Sequence, residues 1–99
     1  MAALLVLNYD VHDHEKLEEY RIDASRVLLG ADRGVLIAST ADTEHLPEAA
    51  VGGTHTVILQ FDDVMTARSV YESARYQRLL ADRLRSTRPH AAMIVPVLT

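Results

Sequence analysis

Apolar residues run almost unbroken from Ala3 to Tyr9 (ALLVLNY), with too little polar alternation for a strand wet on one side. Such a run predicts a strand dry on both faces. Asp10 to Asp13 breaks it, and the pattern then changes period. Leu17, Tyr20, Ala24, Val27 and Leu28 recur at helical spacing, while Lys16, Glu18, Glu19, Asp23 and Arg26 fill the other side. Asp13 is suited to cap this helix, Glu15 places a carboxylate in its first turn, and Gly30 is suited to stop it. Gly34 to Thr40 (GVLIAST) reads as a second strand. Ala41 to Thr54, with Pro47, Gly52 and Gly53, reads as a long connection. Thr56 to Phe61 (TVILQF) is a third strand, and Asp62 and Asp63 cap the helix after it. The stripe Val64, Ala67, Val70, Tyr71 and Ala74 loses phase near Ser73-Ala74-Arg75, so Tyr76, Leu79, Leu80 and Leu84 belong to a second short helix. Pro89 ends the helical region, and Ala91 to Leu98 forms the last strand. Pro96 requires that strand to be an edge or to end there.

The order β-α-β-β-α-β is the ferredoxin-like arrangement in the α+β class, a four-stranded antiparallel sheet with helices on one face. Helices on one face leave the other bare, yet Leu4, Val6 and Ile58 oppose Leu5, Leu7 and Leu59 with nearly equal hydrophobicity. Something must cover the second face, and the simplest cover is another copy of the same sheet about a two-fold axis. A homodimer joined through its sheet faces, with the helices outside, is therefore expected.

Composition narrows the function classes. Ninety-nine residues with 48% hydrophobic and 24% charged content make residues 1–99 a single folded domain. No apolar run is long enough for a membrane span, and Ala2 to Leu7 lacks the basic flank and length of a signal peptide, so a cytoplasmic protein without a membrane partner is expected. The absence of cysteine removes disulfides, thiolate metal sites and cysteine nucleophiles. A net charge of −4 argues against a nucleic-acid partner. No serine lies in a Gly-x-Ser-x-Gly turn, and no P-loop or dinucleotide fingerprint is present. No cofactor is expected. His12 and His14 with Asp10 and Asp13 read as a turn and helix start rather than a metal centre, since no helical His pairing supports one.

The chemistry-bearing residues are tyrosines on apolar stripes. Tyr20 lies on the stripe of the first helix, and Tyr71 and Tyr76 flank the helical break. Their rings are expected against the sheet, with each hydroxyl seeking a partner. Were Asn8, Asp10 and Arg83 to converge on them, a phenol, an amide and a guanidinium could polarise a carbonyl while a carboxylate moves a proton. Asp10, Tyr20, Tyr71 and Arg83 are then candidate catalytic groups, and Asn8 and Tyr76 candidate substrate-binding groups. The plainer reading is that the tyrosines simply pack. Arg75, Arg78, Arg83, Arg85 and Arg88 read first as a solvated cap at a helix C-terminus, and second as an anion-binding mouth.

Two segments resemble a known family. Asp10-Val11-His12-Asp13 followed by Tyr20 is similar to the opening of domain-of-unknown-function family 1330. The stretch Phe61 to Gln77, with Ala67, Tyr71, Ser73, Tyr76 and Gln77, resembles its signature, and Arg83 falls where the family usually carries an arginine. Val70 stands where tryptophan is usual. Arg33-Gly34-Val35 is all that represents the family's turn into the second strand, and its usual glutamate has no equivalent among Thr43, Glu44 and Glu48. The resemblance implies the dimeric α/β-barrel superfamily. That superfamily includes cofactor-free monooxygenases, polyketide cyclases, isomerases and haem proteins, among which fold analogy does not choose. Two functions stay open. One is a cofactor-independent enzyme of isomerase, cyclase or monooxygenase type acting on a small carbonyl or phenolic metabolite. The other is a non-catalytic dimer that carries a small organic ligand or serves as an accessory subunit.

Overall fold

The computed structural model describes residues 1–30 and 33–98. Its elements are β1 (Ala3–Val11), α1 (His14–Leu28), β2 (Val35–Thr40), a 3-10 turn (Pro47–Ala49), β3 (His55–Phe61), α2 (Val64–Tyr71), α3 (Ala74–Ser86) and β4 (Thr87–Pro96). The four strands form one antiparallel sheet in the order β2-β3-β1-β4, the ferredoxin-like layout.

Local chemistry sets the helix limits. The Asp13 carboxylate accepts the Lys16 N–H at 3.1 Å, and the Asp63 carboxylate accepts the Thr66 N–H at 2.7 Å, so each satisfies a donor left open by the first helical turn. Of the two adjacent acids expected as caps, Asp63 is the one that caps α2. The break before α3 has the same cause: the Ser73 hydroxyl accepts the Tyr76 N–H at 3.2 Å and donates to the Val70 carbonyl at 2.7 Å. Just past α1, Gly30 takes φ of 139°, a backbone angle that side chains with a Cβ avoid.

The odd-numbered residues of β1 build the core. Leu5, Leu7 and Tyr9 lie beneath the helices with Leu59 and Phe61 of β3, Leu17, Tyr20, Ala24, Val27 and Leu28 of α1, Ala67 of α2 and Tyr76 of α3. The whole predicted stripe of α1 is buried. On the other face Leu4, Val6 and Ile58 are half-buried, while Val35, Met93 and Val95 are exposed. That bare apolar face is the one for which a cover is expected.

The β1–β4 pair differs from the sequence-based expectation, and β1 runs on through Asp10 and Val11, where a break was expected, because Arg88 and Thr87 pair with them. The last strand begins at Thr87, so Pro89 lies inside it. Proline is tolerated there because β4 is an edge strand and pairs on one side with β1 alone. The pairing also slips between Asn8 and Tyr9: Asn8 faces Ala91 while Tyr9 faces Pro89, which leaves His90 as the extra residue of a bulge.

Candidate functional site

The six candidate residues fall into three separate places. Asn8 is a clamp. Its amide nitrogen donates to the carbonyls of Gly53 and His55 and to the Thr56 hydroxyl, each at 3.0 Å, and its oxygen accepts the Gly53 N–H at 2.7 Å. These bonds tie the end of the 41–54 connection to the sheet. Gly53 is needed there because a Cβ would fall 2.3 Å from the Tyr9 carbonyl carbon. Asp10 lies beyond the clamp, at the bulge. It accepts from His90 Nε2 at 2.8 Å and from the Thr54 N–H at 3.3 Å. The hydrogen bond from His90 is the main reason its carboxyl sits below the ordinary carboxylate range.

Tyr20, Tyr71, Tyr76 and Arg83 do converge, under the helices. The Tyr20 and Tyr76 hydroxyls share a hydrogen bond of 2.6 Å, their rings meeting edge to face with centroids 6.4 Å apart. The Tyr71 ring lies 5.1 Å from that of Tyr76, and Arg83 Nη2 donates to the Tyr71 hydroxyl at 3.3 Å. Burial drives the Tyr20 hydroxyl far above the usual phenol range, reinforced by Tyr76, and Arg83 offsets only part of it. Tyr76 is likewise raised by burial, with Arg83 pulling the other way. Neither phenol is poised to ionise near neutral pH. Arg83 is only 2% exposed, and its Nε and Nη1 have no hydrogen-bond acceptor among the described residues. The expected arginine cap thus loses its central member to the interior, and Arg85 is held by Asp82 at 3.7 Å.

Open space lies elsewhere. A cavity of about 210 Å³ sits between α1 and the β2–β3 side of the sheet. Leu7, Tyr9, Tyr20, Ala24 and Leu59 form its buried floor, and Arg21, Ser25, Leu36 and Ser39 its more exposed rim. Beyond Leu36, the β2 residue that lines the cavity is the small Ser39, paired with Val57, which leaves space beneath α1. Of the six candidates Tyr20 alone reaches it, and the hydroxyl of that residue is already engaged by Tyr76. Arg21, Ser25 and Ser39 were not apparent as site residues from the sequence. The available signal was position: Arg21 follows Leu17 by four and precedes Ala24 by three, at the border of the stripe where a long cationic side chain lies along apolar surface.

Two imidazoles lie at the Tyr9 end of the cavity. The His55 ring stacks on Tyr9 with centroids 5.9 Å apart, and the His14 ring lies 6.2 Å from that of His55. His55 is held below the ordinary imidazole range, by burial first and then by the charges of Arg21 and His14, with Asp10 opposing. Among the described residues no group of three or more His, Asp or Glu side chains is arranged to hold a metal ion. No helix of the described residues is long and apolar enough to cross a membrane.

A four-stranded ferredoxin-like sheet with an apolar cavity on its helical side is the class defined by these features. Within it, the model of the DUF1330 family, a domain of unknown function, matches residues 2–98, and the chain belongs to that family. No curated protein matches the chain.

Proposed function

We propose that the protein acts as a homodimer, joined through the open sheet faces, in which each subunit binds one small organic molecule in the cavity beneath α1. The observation that carries this reading is the composition of the cavity: an apolar floor of Leu7, Ala24 and Leu59 with polar groups confined mainly to the rim. That is the usual anatomy of a small-ligand site. The described residues that line it include no carboxylate and no imidazole, the groups most often used to move protons. This favours the ligand-carrying alternative over a cofactor-independent isomerase, cyclase or monooxygenase acting on a carbonyl or phenolic metabolite. The dimer is supported by the uncovered apolar face of Leu4, Val6, Ile58, Met93 and Val95.

Sedimentation equilibrium and ligand-detected NMR test the two parts. A species of about twice the 11.0 kDa chain mass is expected at micromolar concentration, and Ile58→Asp should halve it. Small neutral aromatics should shift the methyl signals of Leu36 and Val57 without being converted. A folded monomer would overturn the dimer, and product accumulation that depends on the protein would restore the enzyme reading.

A further inference from the structure

We infer that the cavity under α1 is selective for small monocarboxylates, with Arg21 as the residue that recognises the carboxylate. This deepens the reading of the cavity as a ligand site and rests on it. Arg21 is the cationic side chain among the described lining residues, and the rest of the lining is apolar, aromatic or hydroxylic. Its ion pair among the described residues is to Glu18 one turn earlier on α1, at 3.9 Å with both side chains substantially exposed, a contact of little energetic weight. The guanidinium therefore keeps donors for a planar two-oxygen acceptor, which its fork geometry matches.

The surroundings bias the site the same way. Arg21 acts on His55, helping to hold its imidazole below the ordinary range, and the His55 ring is stacked on Tyr9, which forms the cavity floor. The carboxylate that opposes this at His55, Asp10, is turned toward His90 and the Thr54 N–H. An anion in the cavity meets Arg21, the one charged side chain among the described lining residues, and an apolar remainder fits the floor. Size sets the upper limit. An apolar cavity of about 150 Å³ accommodates a benzene ring, so about 210 Å³ suits a single ring or a branched chain bearing one carboxylate. The Ser25 hydroxyl is already donated to the Ile22 carbonyl at 2.8 Å, so one guanidinium and the Ser39 hydroxyl remain, a donor set that matches a monoanion better than a phosphate, which would leave acceptors unpaired.

The test compares benzoate with benzamide, nearly equal in shape and different in charge, by NMR titration of the full chain at low salt. Benzoate is expected to bind about tenfold more tightly, with shifts at the Leu36 and Val57 methyls. Arg21→Gln should abolish that preference by weakening benzoate more than benzamide, while Arg21→Lys should keep part of it. Equal affinities in the unaltered protein, or a preference that survives Arg21→Gln, would overturn the assignment while leaving the cavity a ligand site. If neither compound shifts those methyls at millimolar concentration, the ligand-site reading itself fails.

Discussion

Two interior regions on the same face of the sheet have opposite characters. The Tyr20–Tyr71–Tyr76–Arg83 cluster beneath the helices is polar and largely buried, the Tyr20 and Tyr76 hydroxyls joined and that of Tyr71 taken by Arg83. The cavity on the α1–β2 side is apolar and open, with its polar groups at the rim. Tyr20 belongs to both, presenting its hydroxyl to the first while lining the second. Chemically rich side chains and accessible space are thus separate properties, and a ligand needs the space first.

The largest expected effect that tests this contrast comes from removing one oxygen in the closed cluster. Tyr20→Phe should cost about 1–3 kcal/mol in urea denaturation, because it strands the buried Tyr76 hydroxyl. Tyr20→Phe with Tyr76→Phe should cost less than the sum of the two single changes. Additive losses would show that the hydroxyls are not coupled. Arg83 gives the next effect, with the opposite sign. Arg83→Met removes a buried cation that has two unpaired nitrogens and keeps most of the side-chain length, so stability should rise by about 1 kcal/mol. A clear loss would mean that the guanidinium is well satisfied where it lies.

Filling the open region should cost less still. Ser39→Leu, at the rim, is expected to change stability by less than about 0.5 kcal/mol while abolishing the binding of small aromatics. Retained binding would place the ligand elsewhere. The smallest effect is the pH response of His55. Its folded pKa lies below the ordinary 6.5, so the unfolded chain takes up the proton more readily. Its contribution to stability is complete above pH 6.5 and is lost as pH falls through that value toward the folded pKa. His55→Gln should flatten that part of the stability profile. Arg21→Gln should move the His55 NMR titration upward, and an unmoved midpoint would show that the Arg21 charge does not act on His55.

Regular elements were legible wherever a repeating pattern met a local stop. The buried set of α1 is the stripe read from Leu17 to Leu28, and Ser73 marks the helical break because its hydroxyl caps α3. The start of β4 was not legible, because Pro89 reads as a terminator unless its strand is known to be an edge. The convergence of Tyr20, Tyr71, Tyr76 and Arg83 agrees with the apolar stripes on which the tyrosines lie. Their distance from Asp10 and Asn8 was not legible, since residues 8, 9 and 10 are adjacent in the chain but point to alternate faces of the sheet. Arg21 is marked in the sequence only by its place at the border of the apolar stripe, which does not say that a cavity opens beside it.

Hydrophobic periodicity, capping residues and composition determined the element order, the ferredoxin-like class and the apolar character of both sheet faces. These are local quantities, set by spacing along the chain and by what each side chain can bond within a few residues. Tertiary structure alone decided that Asn8 clamps a loop, that Arg83 turns inward and that the cavity opens beneath α1 beside Arg21. A cavity is volume left over when elements distant in sequence pack together. Its place depends on how far β2 fails to fill the space beneath α1, which no single segment encodes.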